Sequence, residues 1–160
     1  MKRKKELPGA ILKIVFDAPW HTYGRMLRFG DVVVYDARTT EDWTDFAALA
    51  TAPLLFRGIV NDGAVKGGKW PVVGLVPLTE PLLRHSKYFL PEVGDPNRFQ
   101  LFQNGGYSYG HPRAAIAGLS FGGIWDASHI EGILRDHYAG RENVFLKMEY
   151  TDMGLPMPTY

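Results

Sequence analysis

The sequence predicts an α+β fold, a single domain with a twisted, mainly antiparallel sheet and two main helices. Three observations carry this reading. Several short segments alternate apolar and polar residues and are joined by glycine turns, the pattern of hairpin-connected strands. Two other segments repeat apolar residues at the helical spacing behind capping residues. Strands and helices do not alternate regularly, as a doubly wound parallel sheet would require. With 160 residues, 46% of them apolar, one core can remove about two-thirds of the unfolded surface from water.

Taken in order, residues 1–6 form a basic tip ahead of the folded body, which is expected over residues 7–150. Ala10 to Phe16 alternates as a strand and is stopped by Asp17-Ala18-Pro19, since proline cannot donate to a ladder. Tyr23 to Phe29 and Val32 to Tyr35 read as a hairpin turning at Gly30-Asp31. Thr39 or Thr40 is placed to cap a helix with Glu41 and Asp42 in its first turn, an apolar face of Trp43, Phe46, Ala47 and Ala50, and a stop at Pro53. Leu54 to Val60 returns to strand, the glycine turns at Asn61-Asp62-Gly63 and Gly67-Gly68 follow, and Trp70 to Leu78 is a strand that Pro71 marks as an edge or a bulge.

Tyr88 to Leu90 and Arg98 to Gln103 are shorter strands, and Asn104-Gly105-Gly106 turns the chain into Tyr107-Ser108-Tyr109. The second helix is signalled by a capping box of Ser128 and Glu131, a buried face of Ile130, Ile133, Leu134 and Tyr138, and a glycine stop at Gly140. Val144 to Tyr150 reads as a last strand, before an irregular tail over residues 151–160. Trp43 and Trp125 are expected in the core.

Charge and composition narrow the function. The formal net charge is +1, but apart from Lys2 to Lys5 the chain holds 14 basic against 17 acidic residues, a net of −3. That is a poor electrostatic footprint for nucleic acid and too weak to imitate it. The longest apolar runs, Ala114 to Ala117 and Pro71 to Leu78, fall well short of the roughly 20 residues of a membrane span. The basic start lacks the apolar stretch of a signal peptide, and the chain has no cysteine, so a cytoplasmic protein without disulfides is expected.

Three local patterns resemble chemistry and lack its context. Gly118-Leu119-Ser120-Phe121-Gly122 fits the nucleophile elbow of serine hydrolases, with acids and histidines following in triad order. An elbow starts a helix at its serine, whereas here the capping signal waits until Ser128. Gly63 to Lys69 fits seven positions of a phosphate loop, then supplies Trp70 and Pro71 where a magnesium-binding hydroxyl and a helix belong. The five histidines, His21, His85, His111, His129 and His137, make no pair at metal-ligand spacing. No catalytic residue, metal or cofactor is therefore assigned, and a hydrolase using Ser120 stands as the first alternative.

Aromatic residues in loops are the more productive signal. Trp20, His21 and Tyr23 flank the first turn, and Tyr107 and Tyr109 the last. Trp and Tyr dominate binding hot spots and also stack on sugars and bases, so a carbohydrate or single-strand nucleic-acid module aided by Lys2 to Lys5 is the second alternative.

Several strings in a joint order give the chain a resemblance. They are Leu7-Pro8-Gly9, Tyr23-Gly24-Arg25, Val34-Tyr35-Asp36, Ala52-Pro53-Leu54-Leu55-Phe56-Arg57, and Gly68-Lys69-Trp70 with Gly74 and Pro77-Leu78. The last is Ile124-Trp125-Asp126 with the helix through His129-Ile130-Glu131 to Arg135-Asp136-His137-Tyr138. In these the chain resembles the immunity protein 26 family of bacterial polymorphic toxin systems, over about residues 7 to 146. The resemblance implies a cytoplasmic, non-enzymatic protein that protects the producing cell by binding the toxin encoded beside it. On that reading Trp20, His21, Tyr23, Tyr107 and Tyr109 are the expected contact residues, with Glu41, Asp42 and Asp45 steering a basic partner.

Overall fold

The computed structural model describes residues 7–158 and 160, so the basic tip lies outside the described residues. The chain is α+β, with mainly antiparallel pairing. Its contacts gather into two compact units, Met1–His85 with Tyr160, and Ser86–Thr159.

In the first unit, β1 (Ala10–Ile14), β2 (Thr22–Met26), β3 (Asp31–Tyr35), β4 (Leu54–Val60) and β5 (Val72–Leu75) lie in the order β4-β3-β2-β1-β5, each antiparallel to its neighbour. All five residues of β3 are buried, which is why Val32-Val33-Val34 carries no alternation. Ile11, Tyr23, Val33 and Tyr35 build one core with Leu27 and Leu49, and Trp43 and Phe46 pack against it. β5 is an edge strand, and the Lys13 amide donates to the Pro71 carbonyl at 3.0 Å beside a register shift, so Pro71 marks both an edge and a bulge.

Two expectations in this unit are corrected. The β2–β3 turn is made by Phe29 and Gly30, at φ 61 and 76, while Asp31 already belongs to β3. The first helix shrinks to α1 (Phe46–Leu49), capped by Asp45, whose side chain accepts from the Ala48 amide at 3.0 Å. Glu41 and Asp42 thus lie outside it. The preceding segment is irregular instead, with bends at Thr40, Glu41 and Thr44: His21 and Thr39 exchange two backbone bonds of 2.9 Å, and the Trp43 amide donates to the Tyr23 hydroxyl at 3.0 Å. These bonds to distant residues outweigh helix propensity. Where the glycine turns led to a loop, α2 (Gly63–Lys66) makes a single helical turn beside Asp62.

In the second unit, β6 (Tyr88–Glu92), β7 (Asp95–Gln103), β8 (Gly106–Pro112) and β9 (Ser120–Phe121) lie in the order β8-β7-β6-β9, with β9 parallel to β6. Asn104 and Gly105, at φ 53 and 80, make the β7–β8 turn that their identities announce. α3 (Ala127–Tyr138) is capped by Asp126, whose box partner is His129, so the capping box sits two residues before the one read from Ser128 and Glu131. The helix buries Ile130, Ile133 and Leu134, and Gly140 follows it at φ 66.

The strand expected over Val144 to Tyr150 is helical: α4 (Val144–Leu146) runs into a wider helical turn over Lys147–Thr151. Asn143 explains the difference. Its Oδ1 accepts from the Phe145 and Leu146 amides at 3.0 and 3.2 Å, and its Nδ2 donates to Asp136 at 2.9 Å, which fixes it as a cap. Tyr150 then joins Phe89, Phe99, Ile116 and Leu155 in the core of this unit, with Leu146 packed against them.

Candidate functional site

The acidic segment of the first unit is pinned to the sheet by a polar cluster. Asp42 Oδ1 receives Lys13 Nζ at 2.6 Å and lies 3.2 Å from His21 Nε2, which is itself 3.1 Å from the Tyr23 hydroxyl. The hydrogen bond from Lys13 holds the Asp42 carboxyl below the usual carboxylate range. Burial, with Lys13 adding to it, holds His21 below its ordinary value against the pull of Asp42, and burial pushes the Tyr23 phenol up. These groups satisfy one another, so the cluster orders the segment that carries Glu41 and Asp42.

The expected contact residues separate by burial. Tyr23 is only 1% exposed and belongs to the core, and His21 is buried beside it. Trp20 is half-buried, edge-on to Phe16 at 4.8 Å and under the Arg38 guanidinium at 5.5 Å. Glu41, Asp42 and Asp45 are exposed, although Asp42 and Asp45 are engaged locally. β2 is buried through both faces, so a loop-flanking tyrosine at its start became core.

In the second unit, Tyr107 and Tyr109 stand on the edge strand β8 and are 54% and 66% exposed. Their rings stack at 6.5 Å, and Phe102, opposite Tyr107 in the ladder, continues the row at 4.8 Å. Tyr109 and Gly110 form a bulge between Ser108 and His111, turned by Gly110 at φ 74, whose amide donates to Glu92. Stacking and the closed hairpin hold both phenols in place.

The patterns that resemble chemistry lack its local geometry here. Ser120 is buried in β9 and α3 begins only at Ala127, so no helix starts at the serine as an elbow requires. In the phosphate-loop match Lys66 pairs with Asp62 one helical turn away. Among the described residues no group of three His, Cys, Asp or Glu is placed to hold a metal, and no helix is long and apolar enough to cross a membrane. Trp125 is buried against Phe121 and His129, as expected, whereas Trp43 is half-buried at the margin of its core.

Sequence reasoning missed a second polar cluster. Asp31, 1% exposed, accepts from Arg57 Nε and Nη2 at 3.0 and 2.8 Å, and Arg57 also donates to the Arg84 carbonyl at 2.8 Å. The buried His85 sits nearby under the Phe29 ring. Burial lowers His85, with Asp31 opposing and Arg57 adding to the shift. An aspartate directly after a turn glycine and before three valines was the available signal, since an acid opening a buried strand needs a cation.

Each unit of this α+β chain carries an exposed feature of its own, the first an ordered acidic segment and the second an aromatic strand edge. A family model described as immunity protein 26 matches residues 7–100, more than half of the chain, and the chain belongs to that family. The strings from Ile124 to Tyr138 lie beyond the matched span. No curated protein and no solved structure matches the chain.

Proposed function

We infer that this chain is a stoichiometric inhibitor which binds the toxin domain encoded beside it and blocks that toxin by contact, inside the cell that makes both. Family membership supports the class of function. The observation that carries the mechanism is the stacked, exposed pair Tyr107 and Tyr109 on the edge of an ordered sheet. Large rings that are already ordered lose little entropy on binding, and an edge strand leaves backbone donors and acceptors open to a partner strand. Glu41, Asp42 and Asp45 steer a basic toxin, and Trp20 adds apolar contact at their end of the sheet. With a net of only −3 apart from Lys2 to Lys5, occlusion of the toxin is favoured over imitation of its nucleic acid.

The test is a titration of the purified toxin domain with wild type and with the Tyr107→Ala, Tyr109→Ala double variant. The double variant should melt as wild type does and bind at least about thirtyfold more weakly, which corresponds to about 2 kcal/mol. Unchanged affinity would place the interface elsewhere. Trp20→Ala is the matching probe of the first unit, because truncating Tyr23 would open the core.

A further inference from the structure

The β2–β3 turn holds a residue that folding alone does not favour. Phe29 has φ 61, in the left-handed region where glycine and asparagine are at ease and a bulky aromatic is an outlier. Its side chain is also 47% exposed. Backbone strain and an exposed phenyl ring both count against the folded state, and residues held this way cluster at functional sites.

The turn beneath it is firmly built. Leu27 donates to the Asp31 carbonyl at 2.7 Å, and the Asp31 side chain, with no exposed surface, holds Arg57 through two hydrogen bonds to one oxygen. The Phe29 ring lies 5.1 Å from the buried His85 ring, which sets its direction without covering it. Arg28, its neighbour in the chain, is exposed, whereas the Arg84 guanidinium is paired at the surface with Glu80 at 3.2 Å.

An exposed aromatic ring on a firmly held turn, beside an exposed arginine, has the form of an interface hot spot. We propose that Phe29 is an anchor that seats in an apolar pocket of the toxin, with Arg28 facing a carboxylate on the pocket rim. This rests on the inhibitor reading above. The charge of Arg28 chooses the partner, since a second copy of this chain would bring its own Arg28 to the same place and be repelled.

The experiment compares wild type, Phe29→Gly and Arg28→Glu, by thermal melting and by calorimetric titration with the purified toxin domain encoded beside this gene. Phe29→Gly relieves the positive φ, so it should melt at or above the wild-type temperature and yet bind at least about thirtyfold more weakly. Arg28→Glu should leave melting unchanged, weaken binding about tenfold or more, and flatten its dependence on salt. Wild-type binding with Phe29→Gly within about threefold of it would overturn the anchor and leave the inhibitor reading standing. A melting point lowered by more than about 4 °C in Phe29→Gly would assign the ring to packing on His85, and would also overturn it. No binding by wild type would remove the inhibitor reading and the anchor with it.

Discussion

Replacing Asp31 with alanine should be among the most damaging single changes to the first unit. Its carboxylate has no exposed surface and the Arg57 side chain is 10% exposed, so the pair is desolvated and its two hydrogen bonds, at 3.0 and 2.8 Å, are not shared with bulk water. Removing one partner of such a pair strands the other charge, at a cost of about 3–5 kcal/mol. Arg57 keeps its bond to the Arg84 carbonyl and a little solvent contact, which places the expectation near the lower end, about 3 kcal/mol. In a chain of this size that lowers the melting temperature by roughly 6–12 °C. Asp31→Asn retains an acceptor and should cost about half as much, ~1.5 kcal/mol. Thermal melts followed by circular dichroism measure both, together with Arg57→Met and the Asp31→Ala, Arg57→Met double variant. The double variant should lose clearly less than the sum of the singles, because neither charge is left stranded. A loss below about 1 kcal/mol for Asp31→Ala, or strict additivity, would refute the buried-pair reasoning.

Gly9→Ala should cost roughly 2–4 kcal/mol in denaturant unfolding, because Gly9 sits at φ 93 and a Cβ would press on the Val76 carbonyl oxygen across the β1–β5 margin. Trp125→Ala, which empties a site 4% exposed beside Phe121, should cost about 3–5 kcal/mol by the same assay. Stability should also fall as pH drops below about 6.5, the ordinary histidine value. Burial lowers His21 and His85 in the fold, so the unfolded chain takes up protons first, and their contribution, full above that pH, is lost as pH falls through the folded values. Glu149, raised by burial, acts in the opposite sense, with its contribution present at low pH and lost as pH rises through its folded value. Asp42, lowered by Lys13, and Asp136, lowered by Asn143, add a separate loss below the carboxylate range. Melting curves of wild type and His85→Gln from pH 8 to 5 check this, with a shallower slope expected for the variant.

Much of the frame was legible because its signals are local. Leu54–Val60 is a strand over its expected length, Asn104-Gly105 turns a hairpin, and α3 ends before Gly140. The misreadings arose where distant bonds decide. The Trp43 stripe had helical spacing, but the bonds of Trp43 to Tyr23 and of Thr39 to His21 hold its first half in bent, irregular backbone. Val144 to Tyr150 had strand-like residues, but Asn143, tied to Asp136, caps a helix there. The candidate site divides in the same way. Tyr107 and Tyr109 were readable as exposed because a glycine hairpin presents them, while Tyr23 lies on a strand buried through both faces, which its own segment does not reveal. Phe29 gave no signal at all, since nothing in its identity announces a positive φ.

The strings that carry the family resemblance turn out to be frame. Arg25 donates to the Val76 and Pro77 carbonyls at 2.7 and 2.5 Å and fastens the exit of β5 to the sheet. Asp36 donates its amide to Pro53, Trp70 is fully buried, and Gly74 gives the Phe46 ring its seat. The exposed rings of Phe29, Tyr107 and Tyr109 fall outside those strings.

The most direct test of the central claim is to titrate a fixed amount of the purified toxin domain with this protein and follow residual toxin activity. Inhibition by tight contact should rise linearly and end at one equivalent, with a 1:1 complex on size-exclusion chromatography. Loss of toxin activity at a small fraction of an equivalent, or full toxin activity in the presence of excess folded protein, would contradict it.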